Sequence, residues 1–213
     1  MAVILQLIQQ ALPTISLNAH NPVSTESGHH SLGEVLELLL ALLKQTHGEP
    51  SLKSQLSDTI RSCVRCMSVS EFVTAILGML DSKNDTVSTK PHRDFSNTSK
   101  LHLKIQEDAL EVVQERLPHI SPSWRAQLSE PFLKIASYCT GILRRGSLSQ
   151  LLPALAVLQK LVSTTISDEL ITLTEIVPTL LETLVKSLNE EAVLVQGFTL
   201  MESLMWVIDI AVP

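Results

Sequence analysis

The sequence predicts an all-α protein, and three observations predict it. Apolar residues recur at the helical spacings i, i+3, i+4 and i+7 along most of the chain. The hydrophobic share is 45%, yet aromatic residues make up only 3% and there are just 7 glycines in 213 residues. Leucine supplies roughly one residue in six, well above ordinary usage. Cores of Leu, Val, Ile and Ala with few aromatics and few glycines are made by packing helix on helix. Sandwiches and barrels need more turn glycine and more β-branched alternation. The length suits one domain or two and buries a sizeable core.

The periodicity divides the chain into about nine helical stretches. The first covers about residues 2–16 and is ended or kinked by Pro13; the polar segment 18–30 follows. SLGEVLELLLALLKQTHG (31–48) opens on Ser31 with Glu34 three residues on, a capping box, and closes on Gly48. PSLKSQLSDTIRSCVRCM (50–67) starts with proline in a first-turn position, and SVSEFVTAILGMLDS (68–82) starts with a serine cap. The polar run at 81–100, which holds Pro91 and many Ser, Thr, Asn and Asp, is expected to be a flexible inserted loop. LKIQEDALEVVQERL (103–117) has one apolar stripe, Ile105, Ala109, Val112, Val113 and Leu117, and one acidic face. Further helices are expected at about 124–145, interrupted or restarted at Pro131, and at 147–164, 168–187 and 190–211.

The joints alternate between long and short. Gly146 and Asn189 sit in joints of a residue or two, and such joints make antiparallel pairs. The chain then divides into a leading helix plus four helical hairpins, 31–66, 68–118, 124–164 and 168–211. With the insertion discounted, the repeat is about 40 to 47 residues, the period of HEAT and armadillo repeats. Pro131 and Pro178 mark it, 47 residues apart in the first helices of the two later pairs. The expected architecture is a HEAT/armadillo-like α-solenoid, with residues 1–213 as one segment. Residue 2 already belongs to an apolar stretch, and MWVIDIAVP closes the sequence without the polar face of a capping repeat. The expectation is a piece of a longer solenoid with apolar end faces.

Charge and motifs narrow the function. A net charge of −6 and a pI near 5.6 argue against nucleic-acid binding by bulk electrostatics. No run of about 18 uncharged apolar residues is present to span a bilayer. Three cysteines without framework spacing point to a reducing compartment, nucleus or cytosol, where the sequons at Asn84 and Asn97 carry no glycan. Cys63 and Cys66 form a C-x-x-C, but a zinc site needs two more ligands, so buried structural thiols are expected. His29, His30 and His92 lie in polar segments without carboxylates at ligand spacing. There is no phosphate-binding glycine loop, nucleophile elbow or H-E-x-x-H. These features predict a non-enzymatic protein with no cofactor, no metal and no small-molecule substrate. Lys53, Arg61 and Arg65 share one predicted second helix, which in a solenoid lines the concave wall. They offer a basic strip for RNA phosphate or an acidic protein, against the competing reading of ordinary surface charge.

One stretch carries a family resemblance. IRSCVRCMSVSEFVTAILGMLDSKNDTV (60–87) followed by KIQEDALEVVQERL (104–117) is similar to the large HEAT-repeat, U-three small-nucleolar-RNA-associated scaffolds of the small-subunit processome, in its UtpA subcomplex. Those scaffolds place a Met-Leu-Asp type turn before a second helix of the kind V-R-R-K-A-L-E-L-L-N-x-R-L. Asp81, Asp85, Val87, Ala109, Leu110, Glu111, Val112 and Leu117 fit that pattern; Gln106, Glu107 and Asp108 depart from its basic run. Gln106 and Gln196 both stand where a HEAT second helix often carries arginine. The resemblance covers about 60 residues. It implies a nucleolar scaffold acting in pre-ribosomal RNA processing and ribosomal RNA transcription. Its partners would be other processome proteins, with pre-ribosomal or small nucleolar RNA as a further one. The alternative is a HEAT or armadillo adaptor of nuclear transport or trafficking, which would bind a transport GTPase or peptide cargo instead.

Overall fold

A computed structural model describes residues 5–12, 32–46, 50–81, 95–164 and 176–211. Among the described residues every regular element is helical, and no helix is long and apolar enough to cross a membrane. The elements are α1 (residues 5–12), α2 (Leu32–Gln45), α3 (Pro50–Cys66), α4 (Val69–Asp81), α5 (Phe95–Arg116) and a 3-10 turn (Leu117–His119). They continue as α6 (Pro122–Gln127), α7 (Ser129–Arg145), α8 (Leu148–Ser163), α9 (Ile176–Lys186) and α10 (Glu191–Ala211). The chain divides into two compact units, residues 1–112 and 113–213, with the boundary inside α5.

In the first unit α2 packs against both α3 and α4. Its buried residues Leu32, Leu36, Leu39 and Leu40 fall at i, i+4, i+7 and i+8, one stripe of a 3.6-residue helix. On α3, Leu56, Ile60, Cys63 and Val64 repeat the spacing. Polar bonds fix the register between stripes. The first backbone N–H of α2, on Leu32, donates to Glu71 Oε1 of α4 at 3.0 Å, so a tertiary carboxylate satisfies an orphan donor. Gln9 Nε2 of α1 donates to Thr59 Oγ1 of α3 at 2.9 Å. The expected serine cap of α4 is present, the Glu71 N–H donating to Ser68 Oγ at 3.2 Å. Glu34 lies in the first turn of α2, while Ser31, Gly48 and Pro13 lie outside the described residues.

One boundary differs from expectation. The loop was expected to run to residue 100, but α5 begins at Phe95 and takes in the polar run Ser96–Lys100. Ser, Thr and Asn cost only a few tenths of a kcal/mol each in a helix, roughly 0.7 at most. An established helix therefore extends through them, since propagation is far easier than nucleation. Residues 82–94 lie outside the described residues.

In the second unit α7 packs on α8, α9 on α10, α7 on α9 and α8 on α10. The helix expected to restart at Pro131 breaks earlier, at Leu128, and Pro131 becomes the third residue of α7. There its missing N–H is one of the four that have no intrahelical acceptor. Pro178 is likewise the third residue of the described α9. The α7–α8 joint is Gly146–Ser147. A Cβ on Gly146 would sit 2.6 Å from the carbonyl oxygen of Ile142, so the close turn requires glycine although its φ is an ordinary −72°. Ser147 and Gln150 then form a reciprocal capping box, with the Ser147 N–H donating to Gln150 Oε1 at 3.2 Å.

Between α7 and α9, Thr183 Oγ1 donates to the Leu143 carbonyl at 3.0 Å and Arg144 Nε donates to Thr179 Oγ1 at 3.3 Å. Gln196 Nε2 of α10 donates to Gln159 Oε1 of α8. At Gly197 α10 lies close against α9, for a Cβ there would collide with the Leu184 side chain and lie 3.7 Å from Leu180 Cδ1. Gly197→Val should therefore lower stability by about 1–3 kcal/mol through overpacking. Gly197→Ala should lose less, because alanine recovers about 1 kcal/mol of helix propensity. Thermal unfolding of the three proteins checks the order, and a valine variant as stable as the parent would refute the close approach.

Candidate functional site

The nominated basic residues all lie on α3, and all are exposed. Successive residues advance by about 100° around a helix, so residues eight apart differ by roughly 80° and residues four apart by roughly 40°. Arg61 and Arg65 thus share the solvent face, opposite the stripe of Leu56, Thr59 and Cys63. Lys53 is rotated away, toward the azimuth of Ile60 and Val64, and is exposed through its place in the first turns of the helix. Asp58 stands on the Arg61–Arg65 face and pairs with Arg61, Nη1 to Oδ1, at 3.4 Å. Both partners of that pair are more than half exposed, so it contributes well under about 1 kcal/mol. The structure brings two of the three arginine and lysine residues together and places an acid beside them, which weakens the field of the strip.

The C-x-x-C resolves into two different thiols. Cys63 faces the core, its Sγ donating to the Leu32 carbonyl at 3.6 Å, while Cys66 is half-buried. Burial, then the neighbouring Cys66 and Glu71, pushes the Cys63 thiol up to about 12, and burial pushes Cys139 up to about 12. At pH 8 only roughly one part in ten thousand of either is thiolate, the reactive form. A maleimide or disulfide reagent should therefore label Cys66 at once and reach Cys63 and Cys139 only on unfolding. Mass spectrometry after a short pulse reads this directly; rapid labelling of Cys139 would count against its burial. Because both thiols titrate above their ordinary value of 9, they favour the fold below pH 9, and that contribution falls as pH rises toward 12. Among the described residues no group of three or more His, Cys, Asp and Glu could hold a metal ion. His29, His30 and His92 lie outside the described residues.

Two features were missed in the sequence. Gln106, noted only as a departure from arginine, is 1% exposed, and its Nε2 donates at 3.3 Å to the Leu80 carbonyl in the last turn of α4. The carbonyl lies in the last turn of α4 as described, so the amide ties α5 to that end of α4. The second is an apolar surface. Leu181 and Val185 on α9 are 51% and 67% exposed, and Leu188 in the turn that follows is 68% exposed. Val195, Phe198, Met205 and Trp206 on α10 are 50–68% exposed. Each helix exposes apolar residues beside its buried stripe, and on α9 the i, i+4 spacing of residues 181 and 185 already carried this. No protein-family model matches the chain, and searches of curated proteins and of solved structures each found no match.

Proposed function

We propose that this chain is a HEAT-like α-solenoid segment that acts as a non-enzymatic scaffold. One observation carries the architecture. The first helices of successive pairs pack on each other, α7 on α9, as do the second helices, α8 on α10. Pro131 and Pro178, 47 residues apart, are each the third residue of the described helix. Stacking of like on like at a fixed period is how solenoids bury a continuous core. Such a protein presents helix faces to other macromolecules, and the wide exposed apolar surface fits that work.

The cellular placement is the small-subunit processome in the nucleolus, in ribosomal RNA transcription and pre-ribosomal RNA processing. It rests on the resemblance over residues 60–87 and 104–117. Tagging the full-length protein in cells tests it. Accumulation in the nucleolus and co-sedimentation with early small-subunit precursors are expected, and exclusion from the nucleolus would overturn the placement. Direct RNA contact through Lys53, Arg61 and Arg65 predicts binding that weakens steeply with salt. It also predicts a shallower salt slope once the three are neutralised; salt-independent binding would remove RNA from the partners.

A further inference from the structure

We infer that the outer face of the α9–α10 pair is a docking site for an amphipathic protein helix bearing an apolar stripe with Lys or Arg on its flanks. The inference deepens the scaffold reading and rests on it only in taking protein binding as the chain's work. The inner faces are accounted for: Thr179 and Thr183 of α9 bond to α7, Gln196 of α10 bonds to α8, and Leu184 packs against Gly197 between α9 and α10. At about 100° per residue, Leu181 and Val185 stand roughly 120–160° around α9 from Thr179 and Thr183, and Phe198 and Met205 stand roughly 160–180° around α10 from Gln196. Leu181 and Val185 therefore point away from α7, and Phe198 and Met205 point away from α8. The tight turn at residues 187–190 sets the two helices antiparallel, so both apolar rows open on one side. Two parallel apolar ridges are the surface that receives an amphipathic helix through anchors at i, i+3 or i+4 and i+7.

Charge selects the occupant. From Ile176 to Ala211 the charged residues are Glu182, Lys186, Glu190, Glu191, Glu202 and Asp209, all exposed. The single lysine is engaged, its Nζ donating to Glu182 Oε1 at 2.7 Å, which holds the Glu182 carboxyl below its usual range. The face is therefore acidic, its rim at Glu190 and, by the 100° advance, the α10 row itself at Glu191, Glu202 and Asp209. A second copy of the chain would bring these carboxylates against their own kind, whereas a basic-flanked helix meets both the apolar rows and the rim. The face adjoins packing already used in the fold, since α9 and α10 bury their other sides against α7 and α8.

The chain has two tryptophans, so Trp124→Phe leaves Trp206, at the edge of the face, as the reporter. The probes are two synthetic amphipathic peptides with the same leucine stripe, one flanked by lysine and one by glutamate. The lysine peptide is expected to shift Trp206 emission to shorter wavelength with saturation, and to bind at least ~10-fold more tightly than the glutamate peptide. Phe198→Asp and Val185→Asp, both at exposed positions, should each abolish the shift, while Leu38→Asp on α2 should leave it unchanged. Equal binding of the two peptides, no saturable shift, or a shift that follows the protein's own concentration alone would each overturn the proposal. Nucleolar exclusion of the full-length protein would overturn its cellular placement and leave the peptide result standing.

Discussion

Phe132→Ala is expected to be the most damaging single truncation in residues 113–213, costing about 5–7 kcal/mol. Phe132 is fully buried at the start of α7, and removing a buried phenylalanine ring costs roughly 3–5 kcal/mol in transfer and cavity terms. A second loss comes on top. The guanidinium of Arg125, on α6 and only 2% exposed, lies 4.1 Å from the ring centroid. A desolvated cation over an aromatic face gains about 2 kcal/mol, and alanine takes that face away. Since small domains hold only about 5–15 kcal/mol of stability, the variant should lose most of its helical signal well below the parent's melting temperature. Phe132→Leu separates the two terms, because it keeps most of the volume and removes the π face. In a double-mutant cycle, Phe132→Leu should cost less in an Arg125→Met background than in the parent. Zero coupling would mean that the ring serves only as filling.

What the sequence made legible follows from which forces act locally. The stripes of α2, α3, α7 and α8 could be read because burial imposes its 3.6 period on the apolar residues themselves. Ser68 could be read for the same reason: a cap bonds a backbone group three residues away. The break at Leu128 could not, because proline disfavours helix before it yet sits easily in a first turn, leaving two places for the helix to start. The start of α5 was hidden by composition, since its polar residues favour loops only weakly. Nor does the spacing of Lys53, Arg61 and Arg65 reveal that Asp58 shares the face of the two arginines; that takes the angles as well as the intervals. The Glu71–Leu32 and Gln106–Leu80 bonds join residues 39 and 26 apart, and no local pattern records such distances. The apolar outer face of α9 and α10 was present in the spacing, but a stripe in sequence does not say whether it is covered. Only the packing of α7 and α8 on the opposite side shows which stripe is left open.

Gln106→Glu should be the costliest isosteric change in α5, and its cost should depend on pH. The amide donates to the Leu80 carbonyl, and Gln106 Oε1 is buried with no hydrogen-bond partner among the described residues. A carboxylate in this place has no proton to give Leu80 and sets a negative charge against a carbonyl oxygen, both out of water. The fold therefore holds the new side chain protonated, raising its pKa above the roughly 4.3 of an unfolded glutamate. The folded state then binds a proton that the unfolded chain has released, so the variant loses stability as pH rises from about 4.3 toward the folded pKa. At 1.36 kcal/mol per unit, keeping the proton costs at most about 4 kcal/mol at pH 7.5 and about 1 kcal/mol at pH 5. The protonated acid can donate to Leu80 as the amide does, so at pH 5 the variant should approach the parent. Gln106→Met removes the bond and the unpartnered oxygen together; it should cost less than about 1.5 kcal/mol, with no dependence on pH. Melting curves of the three proteins at the two pH values decide the matter. If the glutamate and methionine variants track each other, the Gln106–Leu80 bond is not what joins α5 to α4.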